Sequence, residues 1–169
     1  PKETRDSAPQ RAWWNQFLPC SVTHEVGNQY GLYGPRLCHT TACASGIVST
    51  MAAARTIQGN QADMALCGAS DAIAEMVIAA FHRMGVLSTG PTPQDACRPF
   101  DKTRSGFVMG EGSAMMVLEK RSHAINRGAT IYAEFAASQA LCQAHHVTGL
   151  DSEAATLTDV IQEMLLTTT

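Results

Sequence analysis

Leu37-Cys38-His39-Thr40-Thr41-Ala42-Cys43-Ala44-Ser45-Gly46 is the stretch whose reading decides the fold. Leu37 to Thr41 is short, rich in apolar and β-branched residues, and reads as a strand. Ala42 to Gly46 carries only small side chains and reads as a tight turn running into a helix. From Ala44 to Ile57 the chain is apolar or small on nearly every face, with Arg55 and Gln58 as late polar exceptions. A helix that is apolar all round is a buried helix. Gly59 supplies its C-terminal stop.

This arrangement sets Cys43 at, or just before, the N-terminus of that helix. Open backbone N–H groups and the positive end of the helix dipole favour an anion there. They therefore favour the thiolate, which is the nucleophilic form of cysteine. The small neighbours Ala42, Ala44 and Gly46 leave room for a substrate carbonyl to approach the backbone donors, which makes an oxyanion site. The same residues also fit a structural cysteine packed on a core helix, because free cysteine is among the most buried residue types.

Working outward, Asp63 to Gly68 is a second short apolar run that ends in glycine. Strand, helix and strand with tight connectors form a βαβ unit, so the spacing predicts two parallel strands covered on both faces. Ligands of such sheets sit beyond the carboxyl ends of the strands, where Cys43 falls.

Upstream, residues 1–16 read as a peripheral lead-in. Pro1 to Asp6 is polar and mixed in charge and is not a signal peptide. Trp13 and Trp14 open an apolar patch, read as packing, that Pro19 interrupts. Val22 to Tyr30 reads as a short helix and Gly31 to Pro35 as a turn cluster. Downstream, Ala72 to Met84 has helical spacing and Ser88 to Pro93 is a loop. Cys97 to Gly112 combines a charged turn (Asp101, Lys102, Arg104), a short strand at Phe107 to Met109, and a Gly-Glu-Gly turn. Ser113 to Leu118 follows as a strand, and the spacing predicts a hairpin or a closely returning pair. Glu119 to Asn126 reads as a surface helix capped by Gly128, and Ile131 to Ala137 as a strand. Glu153 to Leu166 is an amphipathic helix, with Ala154, Leu157, Val160, Ile161, Met164 and Leu165 near i, i+3, i+4 spacing. Residues 167–169 form a tail.

Composition bounds the function. A chain of 169 residues, 45% hydrophobic and 16% charged, suits one globular domain. With a net charge of −3 and no basic patch that stands out, nucleic acid is not an expected partner. No apolar run approaches the length of a membrane span. The six cysteines contain no C-x-x-C pair, which points to reduced thiols in a cytoplasmic protein. No metal site is expected: His39 and Cys43 are four apart and His145 and His146 are adjacent, but no second ligand pair has the required spacing. Gly110-Glu111-Gly112 is not a dinucleotide fingerprint, since Met115 stands at the third glycine and a strand, not a helix, follows. Asp101 and Glu111 read as residues that hold their turns through hydrogen bonds and ion pairs. None of the histidines His24, His39, His82, His123, His145 and His146 has a motif that marks it as a catalytic base.

Thr41-Ala42-Cys43-Ala44-Ser45-Gly46 resembles the nucleophile motif of the β-ketoacyl-acyl-carrier-protein synthases, the condensing enzymes of fatty-acid and polyketide synthesis. Arg98-Pro99-Phe100-Asp101, with Gly106 through Gly112, resembles a second signature of that family. Asp63 to Gly68, Arg127-Gly128-Ala129 and Ile131 to Glu134 are similar to other family segments. Gln143-Ala144-His145-His146-Val147-Thr148 resembles the family's Asp-Ala-Tyr-His-x-Thr, with Gln and His replacing Asp and Tyr. In this order the pieces cover about residues 17–166.

The resemblance implies a thiolase-like α/β fold of layered α-β-α-β-α architecture, here an incomplete half spanning 17–166. It implies that Cys43 carries the acyl group as a thioester, with its own N–H as an oxyanion donor. A malonyl group on acyl carrier protein then loses CO2 and attacks that thioester. The partners implied are acyl carrier protein, malonyl and acyl thioesters, and a second copy of the chain, with Leu37 to Thr40 near the two-fold axis. No cofactor is implied beyond the phosphopantetheine arm of the carrier. The family's non-condensing subunits lack the cysteine. The family's two catalytic histidines lie in His-Gly-Thr and Gly-His-x-x-Gly settings, and neither occurs in this sequence. Its lysine, its late Gly-rich Phe turn and its first strand and helix are also absent, so the chain is expected to be an internal piece, inactive alone. A related thiolase-like acyl transferase, or a catalytically incomplete scaffold that docks carrier protein, are the other readings. Half of a two-sheet sandwich exposes a large apolar face. The isolated 169-residue piece is therefore expected to be poorly soluble or to misassociate, and a soluble, cooperatively melting monomer in analytical ultracentrifugation contradicts this.

Overall fold

The computed structural model describes residues 18–146 and 149–167. The expectations for residues 1–16 and the Trp13–Trp14 patch, for Val147 and Thr148, and for 168–169 of the tail lie outside the described residues. In chain order the elements are α1 (Ser21–Gln29), a 3-10 turn (Ala42–Ala44), α2 (Ser45–Gln58), β1 (Met64–Asp71), α3 (Glu75–Arg83), α4 (Pro93–Ala96), β2 (Gly112–Glu119), α5 (Arg121–Asn126) and α6 (Ala155–Thr167).

The helices fall close to where their spacing places them. α2 stops at Gly59, but the left-handed residue is the next one, Asn60, at φ 56°. Asn60 N–H bonds to Ile57 O at 3.0 Å and Gln61 N–H to Thr56 O at 3.0 Å, the paired bonds that satisfy the last carbonyls of a helix. Gly128 ends α5 in the same way, with Ala129 N–H on Ala124 O at 2.9 Å. Glu119, expected in that helix, instead closes β2.

The strand expectations are corrected in three places. Leu37 to Thr41 forms no strand, because no neighbouring chain among the described residues offers its backbone a ladder. The parallel βαβ pair is therefore not formed. β1 pairs instead with β2, antiparallel, from Met64↔Glu119 to Asp71↔Gly112. Phe107 to Met109 makes no hairpin with β2, since only a single parallel bridge, Leu87↔Phe107, forms there. Ile131 to Ala137 has the apolar alternation of a strand but lacks a ladder partner among the described residues.

One face of the β1–β2 ribbon seats α2. Gly46 lies so close to the strand that a Cβ built on it would stand 3.2 Å from Ala69 Cβ. Cys67 is hydrogen-bonded to Thr50, and its burial pushes the thiol above its ordinary pKa. The core is small: Met51, Ala53, Ala54 and Ile57 of α2, Cys67 of β1 and Ala124 of α5. The all-round burial expected of the helix is not reached, and Ile47 is 68% exposed. On the other face, Met64, Leu66, Met115 and Val117 lie open. The accessible surface is 14075 Å2, against about 8,000 Å2 for a compact chain of this mass. No described helix is long and apolar enough to cross a membrane.

The free end of the ribbon is clamped by charge. Glu119 accepts from Arg127 Nη2 at 2.7 Å and Nε at 2.8 Å and is also bonded to His123. Lys120 Nζ bonds to Asp63 Oδ1 at 2.8 Å, across the start of β1. The hydrogen bonds from Arg127 and His123 hold the Glu119 carboxyl down at about 2.

Two outcomes follow for stability. A carboxyl depressed in the fold supports it fully above its unfolded pKa, near 4.5, and loses that support as pH falls toward about 2. Denaturant midpoints measured from pH 6 to 2.5 should fall through this window, and less steeply in Glu119→Gln. Gly68, at φ 153°, would bring a Cβ within 2.1 Å of Ala114 O. Gly68→Ala should therefore cost about 3 kcal/mol in urea denaturation.

Candidate active site

Cys43 sits in the middle of the 3-10 turn that leads into α2, one turn before the helix axis is established. The turn is made by Ala42, which takes the left-handed conformation at φ 49°. A non-glycine residue there is strained by about 1–2 kcal/mol. Ala44 N–H bonds to Thr41 O at 3.1 Å, closing the turn. The Cys43 N–H is not among the turn bonds, and Ala44, the N-cap residue, has no side chain able to cap the helix. Alanine is among the poorest N-caps, and no side chain caps this 14-residue helix, although its first amide, Ser45 N–H, bonds to Ala42 O. The first turn of α2 contains no acidic residue that would neutralise its dipole. The thiol is exposed, and all six cysteines are free. Cys67 is the one that is buried.

The strain at Ala42 is the site feature that sequence reasoning missed. Alanine carries no signal for a left-handed backbone, and only the neighbouring small residues hint at a sharp turn.

The other candidate residues are dispersed. His39 is half-buried and its Nε2 finds no hydrogen-bond partner. His24 bonds to Asn28 and Arg36, and His123 to Glu119. Among the described residues, no histidine is hydrogen-bonded to Cys43. Asp101 accepts from Thr103 N and Oγ1, both at 2.6 Å, and these bonds, with Arg98 and Arg104 nearby, hold its carboxyl below the usual range. Glu111 Oε2 accepts from Ile73 N at 3.3 Å, tying the Gly-Glu-Gly turn to the chain beyond β1. Both acids thus hold turns, as their sequence setting predicts, though by hydrogen bonds and without a direct ion pair among the described residues. Clefts on the described surface include two away from the cysteine. One, of 220 Å3, lies between α2 and residues 135–138, and the other, of 730 Å3, lies beside Arg98 and Arg104. Neither is lined by Cys43.

Residues 2–124 match the family model for the β-ketoacyl synthase N-terminal domain, a span that holds both Cys43 and the Arg98-to-Gly112 stretch. The chain belongs to the β-ketoacyl synthases. It is 44% identical over 136 residues to the mitochondrial 3-oxoacyl-[acyl-carrier-protein] synthase of Arabidopsis thaliana, covering 79% of this chain and 30% of that protein. It is 37% identical over 154 residues to the ketoacyl synthase alpha subunit of the tetracenomycin polyketide synthase of Streptomyces glaucescens, covering 90% of this chain and 36% of that one. Its fold is similar to a type II polyketide ketosynthase solved in complex with its acyl-carrier protein, with a TM-score of 0.87 at 32% identity, over 92% of this chain and 39% of that one. The β-ketoacyl synthase fold is thiolase-like, and this chain carries part of it. The chain spans about a third of the length of the curated relatives it matches.

The strained turn generates a test. Ala42→Gly should raise stability by about 1 kcal/mol in thermal unfolding, because glycine takes the left-handed region freely. Iodoacetamide on the folded chain should leave Cys67 unmodified until denaturant is added, as read by peptide mapping.

Proposed function

We propose that this chain is the nucleophile-bearing part of a 3-oxoacyl-acyl-carrier-protein synthase. The observation that supports it is the exposed Cys43 on a strained turn at the uncapped start of α2. In the first half-reaction the Cys43 thiolate attacks the carbonyl carbon of an acyl thioester. A new carbon–sulfur bond forms, and the carbonyl oxygen becomes an oxyanion facing the Cys43 N–H. The tetrahedral intermediate collapses, the carrier thiolate leaves, and it takes up a proton. In the second half-reaction a malonyl thioester loses CO2, and the electron pair of the broken carbon–carbon bond forms an enolate. Its carbon attacks the Cys43 thioester and releases the Cys43 thiolate with the 3-oxoacyl product on the carrier.

On this reading the substrates are acyl and malonyl groups on the phosphopantetheine arm of acyl carrier protein, and the chain holds no cofactor of its own. The relatives include both fatty-acid and polyketide synthases, and the reaction is the same for both. A homodimer with Leu37 to Thr40 near its two-fold axis and a cytoplasmic setting belong to this proposal. Acylation should be separable from condensation: this chain alone transfers the acyl group to Cys43 but does not complete the carbon–carbon bond. A second reading, a thiolase-like scaffold that docks carrier protein without chemistry, is favoured by one observation. Among the described residues no histidine is hydrogen-bonded to Cys43.

The two readings part on one experiment. Incubated at low micromolar concentration with an acyl-pantetheine thioester, the chain should gain one acyl mass. Peptide mapping should place it on Cys43, at least about tenfold faster than on any other cysteine. Cys43→Ala should remove the adduct. Equal slow labelling of all exposed cysteines would overturn the nucleophile reading and leave the scaffold.

A further inference from the structure

The segment that leads to Cys43 is held by one side chain. From Tyr33 to Thr40 the chain forms neither helix nor strand, and among the described residues its hydrogen bonds are those of the Arg36 guanidinium. Arg36 Nη2 and Nε both donate to Leu32 O, at 2.8 and 3.2 Å, and Nη1 donates to Asn28 Oδ1 at 3.0 Å. Leu32 is itself pinned to α1, its N–H bonded to Gly27 O at 2.8 Å. The guanidinium thus ties the segment to the end of α1 through three nitrogens. A guanidinium only donates, so Asn28 turns its Oδ1 to Arg36 and its amide nitrogen to His24 Nε2, at 2.8 Å. His24, one turn back on α1, therefore holds the asparagine in the orientation that the arginine needs.

Gly27 is an independent mark of the same contact. It is buried in the interior of α1, where glycine weakens a helix. A Cβ built there would stand 2.7 Å from both Cζ and Nε of Arg36. The guanidinium occupies the space that any larger residue would fill. Each of its nitrogens already has an acceptor and no carboxylate is among its described partners, so Arg36 is a clasp within the fold and not a site awaiting an anion.

Arg36 lies seven residues before Cys43. The next described backbone bond along the chain is Ala44 N–H on Thr41 O, which closes the turn where Ala42 stands at φ 49°. A non-glycine residue stays left-handed only where its surroundings over-determine it. On the far side that restraint is α2, seated on β1. On the near side it is Arg36.

We infer that Arg36 is a positioning residue for the nucleophile. By clasping the segment that ends at Ala42, it keeps the turn strained and the Cys43 N–H aimed at the place where an acyl oxyanion forms. The inference deepens the proposed function and rests on it. Oxyanion donors work only when they are fixed before the reaction, so a small displacement that starts at a remote anchor is read as lost rate.

Two reactions at the same sulfur separate positioning from a general loosening. Acylation by a thioester passes through an oxyanion and needs the Cys43 N–H in place. Alkylation by iodoacetamide forms the carbon–sulfur bond as iodide leaves and passes through no oxyanion. Both rates are measured at Cys43 by peptide mapping of the full 169-residue chain. Arg36→Met should slow acylation by an acyl-pantetheine thioester about tenfold and leave alkylation unchanged. Arg36→Lys keeps the charge but not the fork and should stay slow. Gly27→Ala should displace the guanidinium and slow acylation by itself. In the Arg36→Met background it should add nothing to the loss and should raise the thermal midpoint, as alanine does inside a helix. Unchanged acylation in Arg36→Met, full rescue by lysine, additive losses from the two sites, or a parallel fall in alkylation would each overturn the inference. If the parent chain itself takes no acyl group at Cys43, the proposed function fails and the positioning role falls with it. If the parent is acylated and the variants match it, the positioning role alone fails.

Discussion

The close seating of α2 on β1 is the constraint on which the rest depends. Gly46 allows the approach to Ala69, Thr50 is bonded to Cys67, and the Gly68 amide lies 3.5 Å from Ser49 Oγ. These are small or hydroxyl-bearing contacts, so the helix is positioned by shape more than by a large apolar area. That precision matters at one end. Gly46 lies three residues after Cys43, so the packing that fixes the helix also fixes where the thiol emerges. The strand stays flat enough for this only because Gly68 lets the β2 backbone pass where a Cβ would collide.

The sequence made the local parts legible and the long-range parts not. The helices from Ser45, Glu75 and Ala155 follow from spacing, and the helix stops follow from Gly59 and Gly128 together with the residue beyond each. Cys43 at a helix start was readable because its run of small residues leads straight into the apolar helical stretch from Ala44 to Ile57. Strand pairing was not readable in this way. Apolar runs such as Leu37 to Thr41 and Ile131 to Ala137 have the chemistry of strands, but a strand exists only where another backbone lies alongside, and composition does not say which one. The spacing alone favoured a parallel partner for β1, whereas its described partner begins at Gly112 and runs antiparallel.

At the site itself, stability is surrendered in a consistent direction. Ala42 is strained, Ala44 leaves the amides at the helix start without a side-chain cap, and Cys43 is exposed beside them. A serine or aspartate cap would satisfy those donors and close the position to a ligand. Twenty-four residues on, Cys67 shows the opposite treatment: buried, hydrogen-bonded to Thr50, and held in its neutral form. Two identical side chains on adjoining elements thus stand in opposite settings, one exposed and one buried.

The register of the ribbon also sets an order in time. Asp71 pairs with Gly112, roughly forty residues further along, so the two strands leave a ribosome about 2–8 s apart at ordinary rates of synthesis. During that interval α2 and β1 are complete while the edge of β1 has no ladder. Met64 and Leu66 stay uncovered even after β2 arrives. In that interval the open edge of β1 can pair with any backbone that meets it. The arrival of β2 removes that opportunity by filling the ladder.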